Sequence, residues 1–225
     1  MKRTRAYRGR VIQGRGVETS REIALDLVLM MLARRKSRFP LPFRTLPEQV
    51  SNEITGSPQG FLVVGPHTIL LMTALRLLHE LGRKPVVVAS MSSVPIYGTE
   101  LEAEIIQPSP LFLITVRNRL RSGDVICALI DRGGTGERST VEFQTVGGSM
   151  RVANALLDVA LRTGVRIYFA AARFKDGLIV MTFESPDPDS PQSLDVRTEQ
   201  FIAFLQRHAE EVAKDSGHRP LATLR

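Results

Sequence analysis

Short apolar runs alternate with longer stretches of helical periodicity over most of this chain, starting near residue 60. Phe61–Val64, closed by Gly65 and Pro66, predicts a strand. Thr68–Leu81 places apolar residues at helical spacing and stops at Gly82, so it predicts a helix with its own termination signal. Val86–Ala89 predicts a second strand, and Pro95, Gly98, Pro108 and Pro110 punctuate a long loop. Leu111–Arg121 predicts a helix ended by Gly123, Val125–Ile130 a strand and Val141–Val146 a further one. Ser149 reads as the cap of a helix that stops at Gly164. Arg166–Ala172 and Leu178–Phe183 predict a hairpin joined around Lys175-Asp176-Gly177. After Pro186, Pro188 and Pro191, Val196–Lys214 predicts the last helix.

Toward the amino terminus the pattern changes. Thr19 and Glu22 have capping-box spacing before Ile23–Ala33, a run of eleven residues of which ten are apolar and one is Asp26. Arg34, Arg35 and Lys36 close it as suits a helix carboxyl end. The apolar residues nearly encircle this helix, so it must be buried in the core, on a partner chain or at a membrane surface. Pro40, Pro42 and Pro47 then mark an extended connection. The resulting division is a basic arm at 1–17, a helix and connection at 18–57, an α/β core at 58–214 and a tail at 215–225. Strands alternating with helices of these lengths imply an α/β fold, a mixed and partly parallel sheet flanked by helices, preceded by the N-terminal helical arm.

Composition narrows the class. With 225 residues, 43% hydrophobic and 24% charged, the chain has ordinary globular proportions. Its one cysteine, Cys127, excludes an internal disulfide framework, and no Cys/His spacing suggests a metal site. A cytoplasmic location follows from the cysteine usage and from the lack of a secretory pattern. The apolar run at 23–33 is too short for a transmembrane anchor. Charge is uneven: residues 1–44 carry twelve Lys or Arg against Glu18, Glu22 and Asp26, a local +9 in a chain of net +7. Such an arm attracts anionic partners. Nucleic acid is disfavoured because Tyr7 is the only aromatic residue among the first basic cluster.

Sites in α/β sheets gather beyond the carboxyl ends of strands and at helix amino ends. His67 lies just past the first predicted strand, at the mouth of the 68–81 helix, where the dipole favours a neutral imidazole available as a base. Asp131 immediately follows Val125–Ile130 and is placed to orient that imidazole or to hold a cationic group of a substrate. The two are expected to face one cavity at the sheet edge, and shared chemistry requires their side chains to lie within about 12 Å of each other. Gly147-Gly148-Ser149, opening a helix with Arg151 in its first turn, reads as an anion cradle, and Arg132 begins a Gly-rich loop after Asp131. Cys127 reads as a buried small hydrophobe, and His208 and His218 as residues of a solvated helix and tail.

The stretch Gly60-Phe-Leu-Val-Val-Gly-Pro-His67, followed by a helix ending Leu81-Gly82 and by Pro85-Val-Val-Val-Ala-Ser90, resembles the opening of the bacterial lipid A biosynthesis acyltransferases, a branch of the lysophospholipid acyltransferase superfamily. Ser122–Asp131, Val141–Gly148, Met150–Gly164 and Phe174–Phe183 resemble later segments of that family in the same order, so the likeness covers residues 58 to about 212. It implies an acyltransferase-like fold with His67 as the base. The family's motif is His-x4-Asp or Glu, in which the acid orients the histidine. Here the register reads His67-Thr-Ile-Leu-Leu-Met72, and methionine cannot take that role. Proteins with such a departure are similar to the aziridine-forming components of azinomycin-type pathways, where an amine displaces sulfate on a substrate held by an acidic carrier protein.

The leading expectation is therefore a soluble biosynthetic enzyme on an acyltransferase-like scaffold. It would act by acid-base chemistry of His67 and Asp131 on a small anionic substrate, carried by a protein or coenzyme A, with Arg132, Gly147, Gly148, Ser149 and Arg151 binding the anion. No cofactor and no metal are called for. Conventional acyl transfer, with another acid replacing residue 72, is one alternative. A noncatalytic subunit docking through residues 20–36 is the other, and that helix is expected to form homo- or hetero-oligomer contacts in either case. Met72 is expected to serve packing or a pocket wall, so Met72→Asp should leave lipid acylation at background in an assay with acyl-carrier donors.

Overall fold

The computed structural model describes residues 28, 43–47, 49–68, 70–96, 99–131, 140–145 and 148–215. Seven strands form one sheet: β1 (Phe43–Leu46), β2 (Phe61–Gly65), β3 (Pro85–Val88), β4 (Glu104–Ile106), β5 (Val125–Leu129), β8 (Arg166–Lys175) and β9 (Leu178–Glu184). β6 (Thr140–Thr145) and β7 (Gly148–Ala153) make a separate antiparallel pair. The helices among the described residues are α1 (Gln49–Gly56), α2 (Thr73–Glu80), α3 (Phe112–Arg121), α4 (Ala155–Thr163) and α5 (Leu194–Asp215), with one 3-10 turn at Leu70–Met72. Strand order is β1-β9-β8-β2-β5-β3-β4. From β8 to β4 every pairing is parallel, while β9 runs against β8 and carries β1 with it. The expected α/β class with a mixed, partly parallel sheet is therefore the one observed, and the sheet is mostly parallel.

β2 is buried along its whole length, and its alternating side chains serve two cores. Phe61 and Val63 pack with Ile54 of α1 and Leu75 and Leu78 of α2. Leu62 and Val64 face the other way, against Val116 of α3, Leu157 of α4 and Phe201 of α5. The second layer is closed by Phe169, whose ring meets Phe201 edge-on at 5.3 Å and Phe204 at 5.8 Å. Each such buried Leu or Phe contributes about 1.5–3 kcal/mol. The β8–β9 hairpin turns through Asp176 and Gly177 at φ 50° and 80°, the left-handed pair a two-residue turn requires.

Four local expectations are corrected. The connection after Pro40 contains β1 and α1: Phe-Arg-Thr-Leu at 43–46 pairs with β9 at the sheet edge, where flanking prolines are tolerated, and Val50 and Ile54 enter the core. The long loop before α3 contains β4. The helix expected from Ser149 begins only at Ala155, because Gly148–Ala153 alternates along β7 against β6. His208 is not solvated. It lies 3% exposed on the Phe201, Phe204, Leu205, His208 stripe of α5, the spacing of one buried helix face. Of the apolar run expected as helix 20–36, only Val28 is among the described residues, and it is helical. The basic arm at 1–17 and the tail beyond 215, with His218, lie outside them.

Burial holds the His208 imidazole down at about 4, helped by the Arg173 guanidinium on β8 and opposed by the Ala172 backbone. Arg173 is itself paired with Glu211 of α5. Because the folded-state value lies below the unfolded one, the unfolded chain takes up this proton first. Stability contributed by the neutral ring is complete above about pH 6.5 and is lost as pH falls toward 4, by about 3 kcal/mol in total. Urea unfolding at pH 7 and pH 4.5 should show a smaller acid loss in His208→Leu than in the parent chain.

Candidate functional site

The site is created by strand register. β2 and β5 pair with Gly65 opposite Leu129, and the Ile130 N–H still reaches the Gly65 carbonyl at 3.1 Å. His67 and Asp131 each stand two residues past that matched pair, so they leave the sheet side by side on strands about 4.8 Å apart. The chain leaving β2 crosses into α2 on one face of the sheet, and the chain leaving β5 reaches α4 on the other. A crevice between strand ends whose connections diverge in this way is where α/β sheets hold ligands.

Asp131 fastens His67 twice. The His67 N–H donates to Asp131 Oδ1 at 2.8 Å, and the same oxygen meets the ring at Nδ1. A carboxylate oxygen offers only lone pairs, so Nδ1 carries the hydrogen, and in the neutral ring it is Nε2 that holds the free lone pair. The Thr68 N–H donates to the Pro66 carbonyl at 2.8 Å, which makes His67 the centre of a three-residue turn. Asp131 is the more enclosed partner, its side chain 8% exposed against 28% for His67. There is no space for a side chain at Gly65, where a Cβ would run into the Ala170 carbonyl and Leu71 Cδ2. His67 stands three residues before the 3-10 turn Leu70–Met72 that runs directly into α2, and its imidazole is oriented by Asp131.

His67 lines a cavity of about 350 Å³ between β2, β3, β5 and α2. The floor and walls are apolar, with Val63, Leu71, Met72, Val87 and Cys127 among them, and Asp131 lies outside the lining, behind the ring. Met72 packs against the core and forms part of this wall, as expected of it. Cys127 is buried as expected, and burial pushes its thiol up to about 12, which removes it as a nucleophile at neutral pH. The cavity expected at the sheet edge is lined by His67 but, against expectation, not by Asp131, whose carboxylate is turned to the His67 backbone and ring. The cavity's apolar residues sit in the apolar runs of β2, β3, β5 and α2 and carry no local mark that distinguishes lining from core.

The remaining sequence-derived candidates are not brought to this site by anything the structure describes. Gly148 and Ser149 open β7 rather than a helix, so the helix-mouth anion cradle is absent there. Arg151 projects from the same strand, exposed, and pairs with Glu142 across the hairpin at 3.5 Å. Arg132 and Gly147 lie outside the described residues. β7 does connect to the site's scaffold, since the Ala153 N–H donates to the Ile130 carbonyl at 2.8 Å, one residue before Asp131.

The chain matches no protein-family model, and no curated protein matches it. No helix among the described residues is long and apolar enough to cross a membrane.

Removing the shared acceptor should be visible in structure and in stability. Asp131→Ala leaves the His67 N–H and ring without their partner and should cost about 1–3 kcal/mol in urea unfolding. Nitrogen NMR of His67 should report hydrogen on Nδ1 in the parent chain and a mixture of tautomers in Asp131→Ala.

Proposed function

We propose that this protein is an acid-base enzyme in which His67 Nε2 removes a proton from a hydroxyl or amine of a substrate seated in the apolar cavity, with Asp131 as its positioning residue. The observation that carries the reading is the single Asp131 oxygen that accepts from both the His67 backbone and ring. It supplies from β5 the support that residue 72, a methionine, cannot give. Acyl transfer is the reaction this arrangement supports best. The acceptor oxygen or nitrogen loses its proton to Nε2 and attacks the carbonyl of a thioester donor, coenzyme A or a carrier protein. The carbon–sulfur bond then breaks, and the thiolate takes the proton back from the imidazolium.

A second reading keeps the dyad and changes the leaving group. An amine deprotonated by His67 attacks a neighbouring carbon of the same molecule, the carbon–oxygen bond to sulfate breaks with its electron pair, and an aziridine and free sulfate result. It is favoured by Arg132, next in the chain after Asp131, and by the +9 of residues 1–44, suited to an anionic leaving group and an acidic carrier. In both readings the protein works in the cytoplasm.

The test is turnover by the full chain with acyl-coenzyme A or acyl-carrier donors and a panel of hydroxyl and amine acceptors, with sulfate release followed on sulfated amines. His67→Ala should lower kcat by roughly 10²–10⁴. Asp131→Asn should lower kcat with little change in KM and alter the pH profile. Undiminished turnover in His67→Ala would remove this function, and ester or amide formation against sulfate release decides between the two reactions.

A further inference from the structure

A second cavity, of about 500 Å³, opens at the opposite edge of the sheet from His67, where β8 begins and β9 ends. Its lining joins Arg197, Arg166 and Glu53 to the apolar Leu161, Val165 and Pro186. Arg197, in the first turn of α5, is 4% exposed. Its Nη1 donates to the Asp187 carbonyl at 2.9 Å and to Gln200 Oε1 at 2.7 Å, both neutral acceptors. Among the described residues no carboxylate forms an ion pair with it. Asp187 acts on it only through space, its carboxylate being held by Ser190 Oγ at 2.8 Å and the Asp189 N–H at 3.0 Å. Glu53 is already engaged by Arg166 at 3.4 Å and by the Tyr168 hydroxyl at 3.1 Å.

The side chains that line the cavity thus carry a net charge of +1, and the Arg197 residue, almost wholly removed from water, has the Asp187 carboxylate near it but not in an ion pair with it. Buried charges in proteins are paired or bound to a ligand of opposite sign. A guanidinium fork matches a carboxylate, phosphate or sulfate group, and the adjoining apolar surface matches the body of an organic molecule rather than a bare ion. We propose that this cavity is a binding site for a small organic anion, its oxyanion head on Arg197 and its apolar body against Leu161, Val165 and Pro186. The site lies at the amino-terminal end of β8, away from the carboxyl-end crevice of His67, and the proposal does not depend on the chemistry assigned there.

The experiment is calorimetric titration and thermal unfolding of the full chain with hexanoate, hexyl phosphate and neutral hexanol. Saturable binding of hexanoate or hexyl phosphate with a rise in Tm, and none with hexanol, is expected, and the tighter of the two identifies the head group. Arg197→Gln should weaken binding roughly tenfold or more. Leu161→Trp, which fills the cavity and leaves Arg197 in place, should abolish it and decides the matter if Arg197→Gln does not fold. Met72→Trp, in the His67 cavity, should bind as the parent does. Absence of anion binding at millimolar concentration, unchanged binding in Leu161→Trp, or loss of binding in Met72→Trp would each overturn the proposal.

Discussion

The parallel register of β2 against β5 is the constraint on which the candidate chemistry depends. Gly65 faces Leu129, and everything that matters at the carboxyl edge is counted from that match. A slip of one residue would reverse the faces of β2, exchanging Val63 and Val64 between two cores, and would also separate the His67 turn from Asp131. Because β2 is buried on both faces and paired on both sides, such a slip is heavily penalised. The geometry of the dyad is thereby guaranteed by packing far from the ring itself. At the other end of the same strands Arg83 performs a similar fastening: its guanidinium lies 5.2 Å from the Phe61 ring centre and donates to the Gln59 carbonyl at 3.0 Å and the Gly123 carbonyl at 3.1 Å.

Asp131 constrains His67 more fully than an acid on the following helix could. An acid five residues further along the chain and an acid at the end of the adjoining strand can both face an imidazole Nδ1, but they constrain it differently. A helix-borne acid holds only the ring. Asp131 holds the backbone of the turn and the ring with one oxygen, so the position of the histidine and the direction of its free nitrogen are set together. Residue 72 takes no part in this support, and Met72 lines the cavity beside His67.

How much of this could be read from residues alone follows the range of the interactions. Apolar runs bounded by Gly or Pro marked β2, β3, β5, β8 and β9, and the Asp176-Gly177 turn marked the hairpin, because those signals lie within a few residues of one another. β1 was hidden by its prolines and by being an edge strand of four residues, whose partner β9 is far away in sequence. β7 reads as the opening of a helix although Ser149 and Arg151 alternate with Met150 and Val152. The helical run Ala155–Thr163 beginning two residues later drew the boundary forward. His67 and Asp131 were each recognisable as residues just past a strand end. That β2 and β5 are neighbours is decided by crossovers, which no local pattern encodes. His208 stands on a visible helical stripe, but histidine is intermediate in burial preference, so its residue type does not mark it as core.

Cys127 gives the chain a natural reporter of its own opening. It is the one cysteine in 225 residues, it sits in the middle of β5, and burial keeps its thiol protonated far above neutral pH. A thiol reagent therefore reaches it only by two routes: separation of the sheet, or entry through the cavity whose wall it helps to form. The first route is insensitive to the size of the reagent and the second is not. Labelling with small and bulky reagents would separate breathing of the cavity from cooperative unfolding, without any foreign group being introduced.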